Sequence, residues 1–505
     1  MTAARAVRHN TVDGLVRDTA RRVPDRTALR YRERSWTYAE LDAAVSTGAA
    51  VLRERYGLAH GDRVATFAHN SDAYLLAFLA CARAGLTHVP VNQNLTGEDL
   101  AHILDDCASA LVLADPDLAS RVPGGRPVRP LRDAPGSFLD ELAEPRDFTP
   151  DRDAYGVVQL LYTSGTTAAP KGAMMTHEAL AHEYESAIEA LDLAEGDRPV
   201  HSLPLYHSAQ THVFLLPYLA VGAENTVLGR AGRRGDLRPG GGGPGRQPVR
   251  ATDGVDRARG PPRLRAARSG RAAQGLLRGL DHAGAGPGAA AGPAARAGLL
   301  QLLRPERDRA AGHRARAGRA RGADGVLRAA GTARRGEGRR RGRGGGARRY
   351  GGEVVYRSPQ LCLGYWNDPE ATKKAFRDGW FRSGDLAVRD AQGYFTVVDR
   401  VKDVINSGGV LVASRQVEDA LYTHPGVAEA AVVGLPDERW IEAVTAVVVP
   451  RGEVTEEELL AYAREKLAHF KAPKRVLFVD ALPRNASGKI LKRELRTRFG
   501  GQSDH

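Results

Sequence analysis

The chain has 505 residues, three cysteines and a formal charge of +13. That length accommodates two or more domains with substantial cores, and three cysteines without close pairing exclude a disulfide framework and fit a reducing cytosol. The first ten residues lead into no apolar core, and the longest apolar stretch, over 213–223, is too short to span a bilayer. A cytoplasmic protein without a transmembrane segment is expected.

In chain order, an amphipathic pattern over 12–23 predicts a helix, followed by a strand pair near 27–31 and 35–38 and a helix over 39–55. Alternating β and α signals follow: a strand over 63–67, a helix over 71–84 and a strand over 88–91. A helix over 97–106 has Thr96 as its expected cap and Glu98 and Asp99 in its first turn, and a strand follows over 110–114. Such alternation implies parallel sheets covered by helices. An apolar run, Val157-Val158-Gln159-Leu160-Leu161, then enters the loop Tyr162-Thr163-Ser164-Gly165-Thr166-Thr167-Ala168-Ala169-Pro170-Lys171-Gly172. Beyond about residue 401 the pattern becomes a small α+β unit. Its strands are expected over 427–433 and 444–449, and its helices over 417–423 and 456–467, the latter opened by a Thr455/Glu458 capping box. The best domain boundary lies near Arg400, giving a 1–400 domain and a 401–505 domain.

The basicity is local. Residues 231–350 hold 29 Arg, no Lys and 8 acidic residues, a balance of +21, whereas the rest of the chain balances at −8. Of these 120 residues 82 are Arg, Gly or Ala, and the only aromatic is Tyr350. Such a segment has neither helical nor strand period and is expected not to order itself. Three readings compete: an Arg/Gly-rich RNA-binding insert, a disordered linker, or GC-rich DNA translated out of frame. The third can be tested internally. Gln301-Leu302-Leu303-Arg304-Pro305-Glu306-Arg307-Asp308-Arg309-Ala310 can be encoded CAA CTG CTA CGG CCA GAG CGA GAT CGC GCC, which read one base over gives Asn-Cys-Tyr-Gly-Gln-Ser-Glu-Ile-Ala. The anomaly begins near Leu228 and ends near Gly351, so residues 229–350 are read as frame-displaced.

Several motifs carry chemistry. The 162–172 loop combines hydroxyls (Thr163, Ser164, Thr166, Thr167), glycines and Lys171, the donors a polyphosphate needs. It is not a Walker loop, because Gly165 and Lys171 have the wrong spacing and no Ser or Thr follows the lysine. Ser383-Gly384-Asp385 alone is a turn signal, and Asp399-Arg400-Val401-Lys402-Asp403 alone is a solvated charged turn. A lysine in Pro483-Arg484-Asn485-Ala486-Ser487-Gly488-Lys489 is ordinarily an exposed cation, and His207 in Leu203-Pro204-Leu205-Tyr206-His207-Ser208 ordinarily a satisfied core residue. No Cys/His cluster has metal-ligand spacing, so no metal site is assigned.

As a set, and in this order, these motifs resemble those of the AMP-forming acyl-CoA synthetases within the adenylate-forming ligases, closest in look to fatty-acid–CoA ligases. The resemblance covers roughly 1–228 and 351–505, and the out-of-frame Tyr-Gly-Gln-Ser-Glu string falls where that family carries Tyr-Gly-x-Thr/Ser-Glu. It implies an α/β large N-terminal domain with parallel-rich sheets plus a small, mobile α+β C-terminal domain. It also implies site residues: Thr163, Ser164, Gly165, Thr166, Thr167 and Lys171 on the phosphates of ATP, Asp385 and Arg400 on the ribose, and Lys402 as the hinge. His207 would line the acyl pocket, Ser407-Gly408-Gly409 would lie near the route of coenzyme A, and Lys489 would serve adenylation. Departures are Ala168 where glycine is usual, Leu411 where asparagine is frequent, and Ile441 where glycine is normal.

The resemblance further implies activation of a carboxylic acid, expected to be a fatty acid, through acyl-AMP to acyl-CoA, with ATP and coenzyme A as substrates. Mg²⁺ would enter with ATP, and its usual glutamate ligand is recoverable only in the displaced frame. Small molecules rather than nucleic acid are the expected partners, contact with a membrane surface stays open, and the oligomeric state is unread. Two rivals remain: an adenylation domain or fatty acyl-AMP ligase loading a carrier protein, and a non-catalytic Arg/Gly-rich nucleic-acid binder.

Overall fold

The computed structural model describes residues 11–150, 156–163, 169–229, 326–330, 350–389, 395–485 and 488–500. Four sheets organise them. The six-stranded sheet runs in the order β6-β5-β3-β4-β7-β8, where β3 is Arg63–Phe67, β4 Thr87–Pro90, β5 Leu111–Ala114, β6 Val128–Pro130, β7 Val157–Thr163 and β8 Lys171–Thr176. Every pairing in it is parallel except β7 with β8. The central strands β3, β4 and β5 are buried nearly throughout, which is why they read as apolar runs rather than alternations. The helix Asp72–Arg83 is buried at every position, capped by Ser71, and packs between this sheet and the helices Val12–Arg22 and Tyr38–Ala50.

A second sheet has the order β2-β1-β10-β9, from Arg34–Thr37 (β2), Thr27–Tyr31 (β1), Asn225–Val227 (β10) and Val200–His201 (β9). The third is antiparallel, β11-β12-β14-β13 with β15 beside β14. Its members are Val326–Ala330, Tyr350–Arg357, Phe376–Arg377 (β13), Trp380–Arg389 (β14) and Phe395–Arg400 (β15). The fourth is formed by Ile405–Ser407 (β16), Val410–Val412 (β17), Val427–Asp437 (β18), Ile441–Pro450 (β19) and Arg475–Phe478 (β20), covered by the helices Ser414–Leu421 and Glu456–Lys466. It has its own apolar core, centred on Val417, Val432, Val444 and Leu459.

The elements expected before residue 115 are present, with ends shifted by a residue or two; the helix over 39–55 starts at Tyr38 and finishes as a π turn, Val51–Arg55. Three local expectations fail. Thr96 occupies the cap position but its side chain caps nothing, leaving Glu98 and Asp99 to serve that end electrostatically. At Glu456–Lys466 only half of the capping box forms: the Thr455 side chain accepts from Glu458 N, while Glu458 pairs with His424 instead. Within the anomalous segment, Val326–Ala330 is a strand pairing residue by residue with Glu353–Arg357. Backbone pairing at a sheet edge requires no side-chain period, so the pattern argument had nothing to detect. The remainder of 230–349 lies outside the described residues.

Beneath β7 runs a buried chain of polar side chains. The Tyr184 hydroxyl is 2.8 Å from His212 Nδ1, His212 Nε2 2.7 Å from Gln159 Oε1, Gln159 Nε2 3.0 Å from His88 Nδ1, and His88 Nε2 3.1 Å from Thr66 Oγ1. The Gln159 amide fixes the direction: each group donates to the next, from Tyr184 to Thr66. No helix among the described residues is long and apolar enough to cross a membrane.

Candidate active site

The phosphate-type loop is the connection of the β7–β8 hairpin, whose last pair is Thr163 with Lys171. Ser164, Gly165, Thr166 and Thr167 lie outside the described residues. Gly172 lies close to the Tyr162 ring, where a Cβ would sit 3.1 Å from it and would press on the ring. The Lys171 ammonium reaches 2.6 Å to Asp368 Oδ2 and lies over the Tyr365 ring. Asp368 also caps the helix Pro369–Ala375, and the Lys171 contact holds its carboxyl below the usual range. The segment around Tyr365 is stitched to β8 by Met174 N to Gly364 O, Leu363 N to Met174 O and Trp366 N to Gly172 O. It fixes the far side of the hairpin.

Ser383-Gly384-Asp385 is not a turn. It lies inside β14, where the four-residue step from Arg382 to Leu386 opposes the two-residue step from Val355 to Glu353 on β12. The extra residues form a bulge, and Gly384 adopts φ +72° within it. Bulges re-aim side chains, and glycine accommodates this one because a Cβ is disfavoured at positive φ. Glu353 secures the bulge by accepting from Gly384 N at 3.1 Å and pairing with Arg382. Asp385 consequently faces Arg400 in the β14–β15 register, with Arg400 Nε 3.5 Å from its Oδ1.

Lys489 comes from a loop of the C-terminal sheet's periphery, more than eighty residues later, and joins this group. Its backbone N–H donates to Asn485 Oδ1 at 3.0 Å. Its ammonium nitrogen is buried without a hydrogen-bond partner among the described residues. Burial first, then the charges of Arg400 and Lys402, pull its pKa down to about 7, against the opposing fields of Asp403 and Asp385. Burial raises the Asp385 carboxyl, with Arg400 and Lys489 opposing. Lys402 follows β15 and is itself lowered by burial, and Arg496 ties this turn to the last helix through Lys402 O and Asp403 Oδ1. The structure thus gathers Asp385, Arg400, Lys402 and Lys489.

His207 is half-buried beside Tyr206, ahead of the π-helical segment Ala209–Leu215, and its Nδ1 accepts from Ala209 N at 3.4 Å. Ser407 ends β16, and Gly408 and Gly409 form its two-residue turn to β17 with φ +62° and +84°. Both central residues at positive φ define a primed hairpin turn, the geometry that demands Gly-Gly. Gly408 N donates to Trp440 O at 2.6 Å, and Ser407 pairs with Ile441. These residues form a patch of their own on the small sheet. Sequence reasoning missed Asp368, Glu353 and Asp403; only Asp368 carried a local signal, as the residue before Pro369.

Comparison with known proteins follows the same outline. The family model described as AMP-binding enzyme matches residues 16–238, and the AMP-binding enzyme C-terminal domain matches 416–489. The chain is 38% identical to a feruloyl-CoA synthase of Amycolatopsis, over 95% of this chain and 97% of that one. It is 34% identical to the long-chain-fatty-acid–CoA ligase FadD13 of Mycobacterium tuberculosis, over 92% and 93%. The ATP-bound MatB structure from Rhodopseudomonas palustris superposes with a TM-score of 0.69 at 25% identity, covering 98% of this chain and all of that one. A large sheet domain followed by a small C-terminal domain, in the order that the family models match, is the fold of the adenylate-forming ligases. The chain belongs to the AMP-binding enzyme family, as an AMP-forming acid–thiol ligase of the acyl-CoA synthetase class.

Proposed function

We propose that the protein condenses a carboxylic acid with MgATP to acyl-AMP and pyrophosphate and then transfers the acyl group to the thiol of coenzyme A. The observation that carries this reading is that the buried Lys489 ammonium, without a hydrogen-bond partner among the described residues, lies within the fields of Asp385 and Arg400, themselves an ion pair. In this reading Asp385 and Arg400 hold the ribose, and Thr163 to Thr167 with Lys171 cradle the phosphates. Lys489 supplies a compact positive charge to the oxygens of the attacked α-phosphate. We place the domain junction at Arg400, with Lys402 as the hinge. Rotation there would withdraw Lys489 and bring Ser407, Gly408 and Gly409 toward the thiol acceptor. The glutamate expected to ligate Mg²⁺ is missing from the chain as written and is recoverable only in the displaced frame.

For the acid, a hydroxycinnamate-type substrate is the first reading, on the 38% identity to the feruloyl enzyme; a long-chain fatty acid is the second, on the 34% identity to the fatty-acid ligase. His207 and Tyr206 would line the pocket for either. Acid-dependent ATP–pyrophosphate exchange over a panel of both acid classes, followed by thioester analysis with coenzyme A, tests the proposal. Exchange without thioester would reassign the acceptor to a carrier protein. A cytoplasmic location accords with this chemistry.

We further propose that residues 229–350 are the product of a displaced reading frame. The large-domain family match ends at residue 238, ten residues after Leu228. The chain with this segment would be a poor catalyst, and the restored one active.

A further inference from the structure

The parallel sheet brings together three side chains that the sequence keeps far apart. His69 follows the carboxyl end of β3, and Asp115 and Asp117 follow the carboxyl end of its neighbour β5. From β3 the chain proceeds to β4 on one side and then returns to β5 on the other. The crevice between the ends of β3 and β5 is therefore a topological switch point, where open α/β sheets receive ligands. One donor atom from each of His69, Asp115 and Asp117 lies within 4.8 Å of the others.

Arg132 brings a guanidinium to Asp115 Oδ2, and His69 is hydrogen-bonded at both ring nitrogens. His69 Nδ1 is 2.7 Å from Gln93 Oε1, and His69 Nε2 is 2.9 Å from Asp117 Oδ2. A neutral imidazole has a single N–H, so it can satisfy only one of two oxygens. With Nδ1–H donated to the Gln93 carbonyl oxygen, Nε2 turns its lone pair toward the Asp117 carboxylate; with the Gln93 amide turned to donate, Nε2–H donates to Asp117 instead. A histidine that donates one N–H to a carbonyl and turns its other nitrogen to anionic oxygens is arranged as a metal ligand with its outer partner in place. Asp115 provides the second observation. It is 1% exposed; its Oδ2 accepts from His69 N at 3.0 Å and from Arg132 Nη2 at 2.8 Å, while its Oδ1 is buried with no hydrogen-bond partner. The Arg132 guanidinium is shared with Asp133.

We propose that His69 Nε2, Asp115 Oδ1 and a carboxylate oxygen of Asp117 bind a divalent cation of the zinc–manganese class. One imidazole and two carboxylates form a borderline donor set suited to those ions. Asp117 is 57% exposed on its side chain, so the remaining coordination positions open to water. The site shares no residue with the ATP-binding set, and the cation would tie the ends of β3 and β5 together. Gln93 would be its positioning residue, through the His69 tautomer.

The test uses the full chain, stripped with chelator and titrated with Co²⁺ and Zn²⁺. One equivalent of Co²⁺ should produce a visible d–d band, and Zn²⁺ should raise the Tm saturably. Both responses should vanish in His69→Ala and in Asp117→Asn, an exposed and isosteric change that spares folding. Gln93→Leu should weaken Co²⁺ binding about 10- to 100-fold without removing the band. Asp25→Asn should behave as wild type. Equal Co²⁺ bands in wild type, His69→Ala and Asp117→Asn would place the metal elsewhere and overturn the proposal. No metal-dependent band or Tm shift in the wild type would overturn it too.

Discussion

Lys489 is a cation whose surroundings oppose its charge. With its pKa near 7, much of it is neutral in the nucleotide-free protein at physiological pH, whereas the proposed adenylation uses the ammonium. The free-enzyme parameter kcat/KM for acyl-adenylate formation should therefore fall as pH rises through about 7, because the protonated fraction falls. Bound ATP adds negative charge and should shift the kcat profile to higher pH; coincident profiles would remove Lys489 from the chemistry. Lys489→Ala in the frame-restored chain should cost about 3–4 kcal/mol in pyrophosphate exchange, while thioester formation from supplied acyl-AMP survives. Equal loss of both steps would make Lys489 structural. Lys489, Lys171, Asp385 and Arg400 each lie in a short string that the sequence displays, and the phosphate and ribose roles proposed for them rest on those strings. Their partners were not legible: Asp368 lies 197 positions from Lys171, and no local pattern spans that distance.

At the scale of elements, turn propensity was visible but its use was not. Ser383-Gly384-Asp385 signals a break, and the fold realises it as a bulge inside a ten-residue strand because β12 and β15 flank it on both sides. Ile441 is the opposite case. It closes the β18–β19 hairpin opposite Asp437, whose Oδ1 accepts from Arg439 N and Trp440 N. Its φ is +67° and it is 59% exposed, a position suited to glycine that a β-branched residue occupies at a cost of about 1–2 kcal/mol. Ile441→Gly should stabilise the C-terminal unit by about that amount in urea unfolding, read through a probe in that unit such as Trp440. A destabilised variant would show that the isoleucine side chain supplies contacts outweighing the strain.

For the whole molecule, the alternating βα order revealed the parallel sheet, since strands buried on both faces must be continuously apolar. The anomalous segment stayed unreadable because Arg, Gly and Ala carry no period. One insertion or deletion near codon 228 and a compensating one near codon 350 are expected in the gene. Codons at Gln301 to Arg309 that cannot encode Tyr-Gly-Gln-Ser-Glu one base over would refute the frame displacement, and robust pyrophosphate exchange by the unrestored chain would deprive it of functional weight. Acid sensitivity should come from the buried histidines. Burial lowers His88 and His212 to about 3, and His177 and His201 to about 4, against about 6.5 when unfolded. Below pH 6.5 the unfolded chain takes up protons that the native one refuses, so stability should fall as pH drops from 6.5 toward 3. Urea midpoints across that range should show the decline, and a flat profile would exclude these residues.

The chain from Tyr184 to Thr66 also bears on how this sequence can drift. With an amide at Gln159 every donor along it points the same way. A carboxylate there would be met by the other His88 tautomer, with the Thr66 hydroxyl donating in turn. The five positions, distributed over residues 66 to 212, therefore share one proton order that position 159 sets, and a single exchange there redirects protons without dismantling the chain.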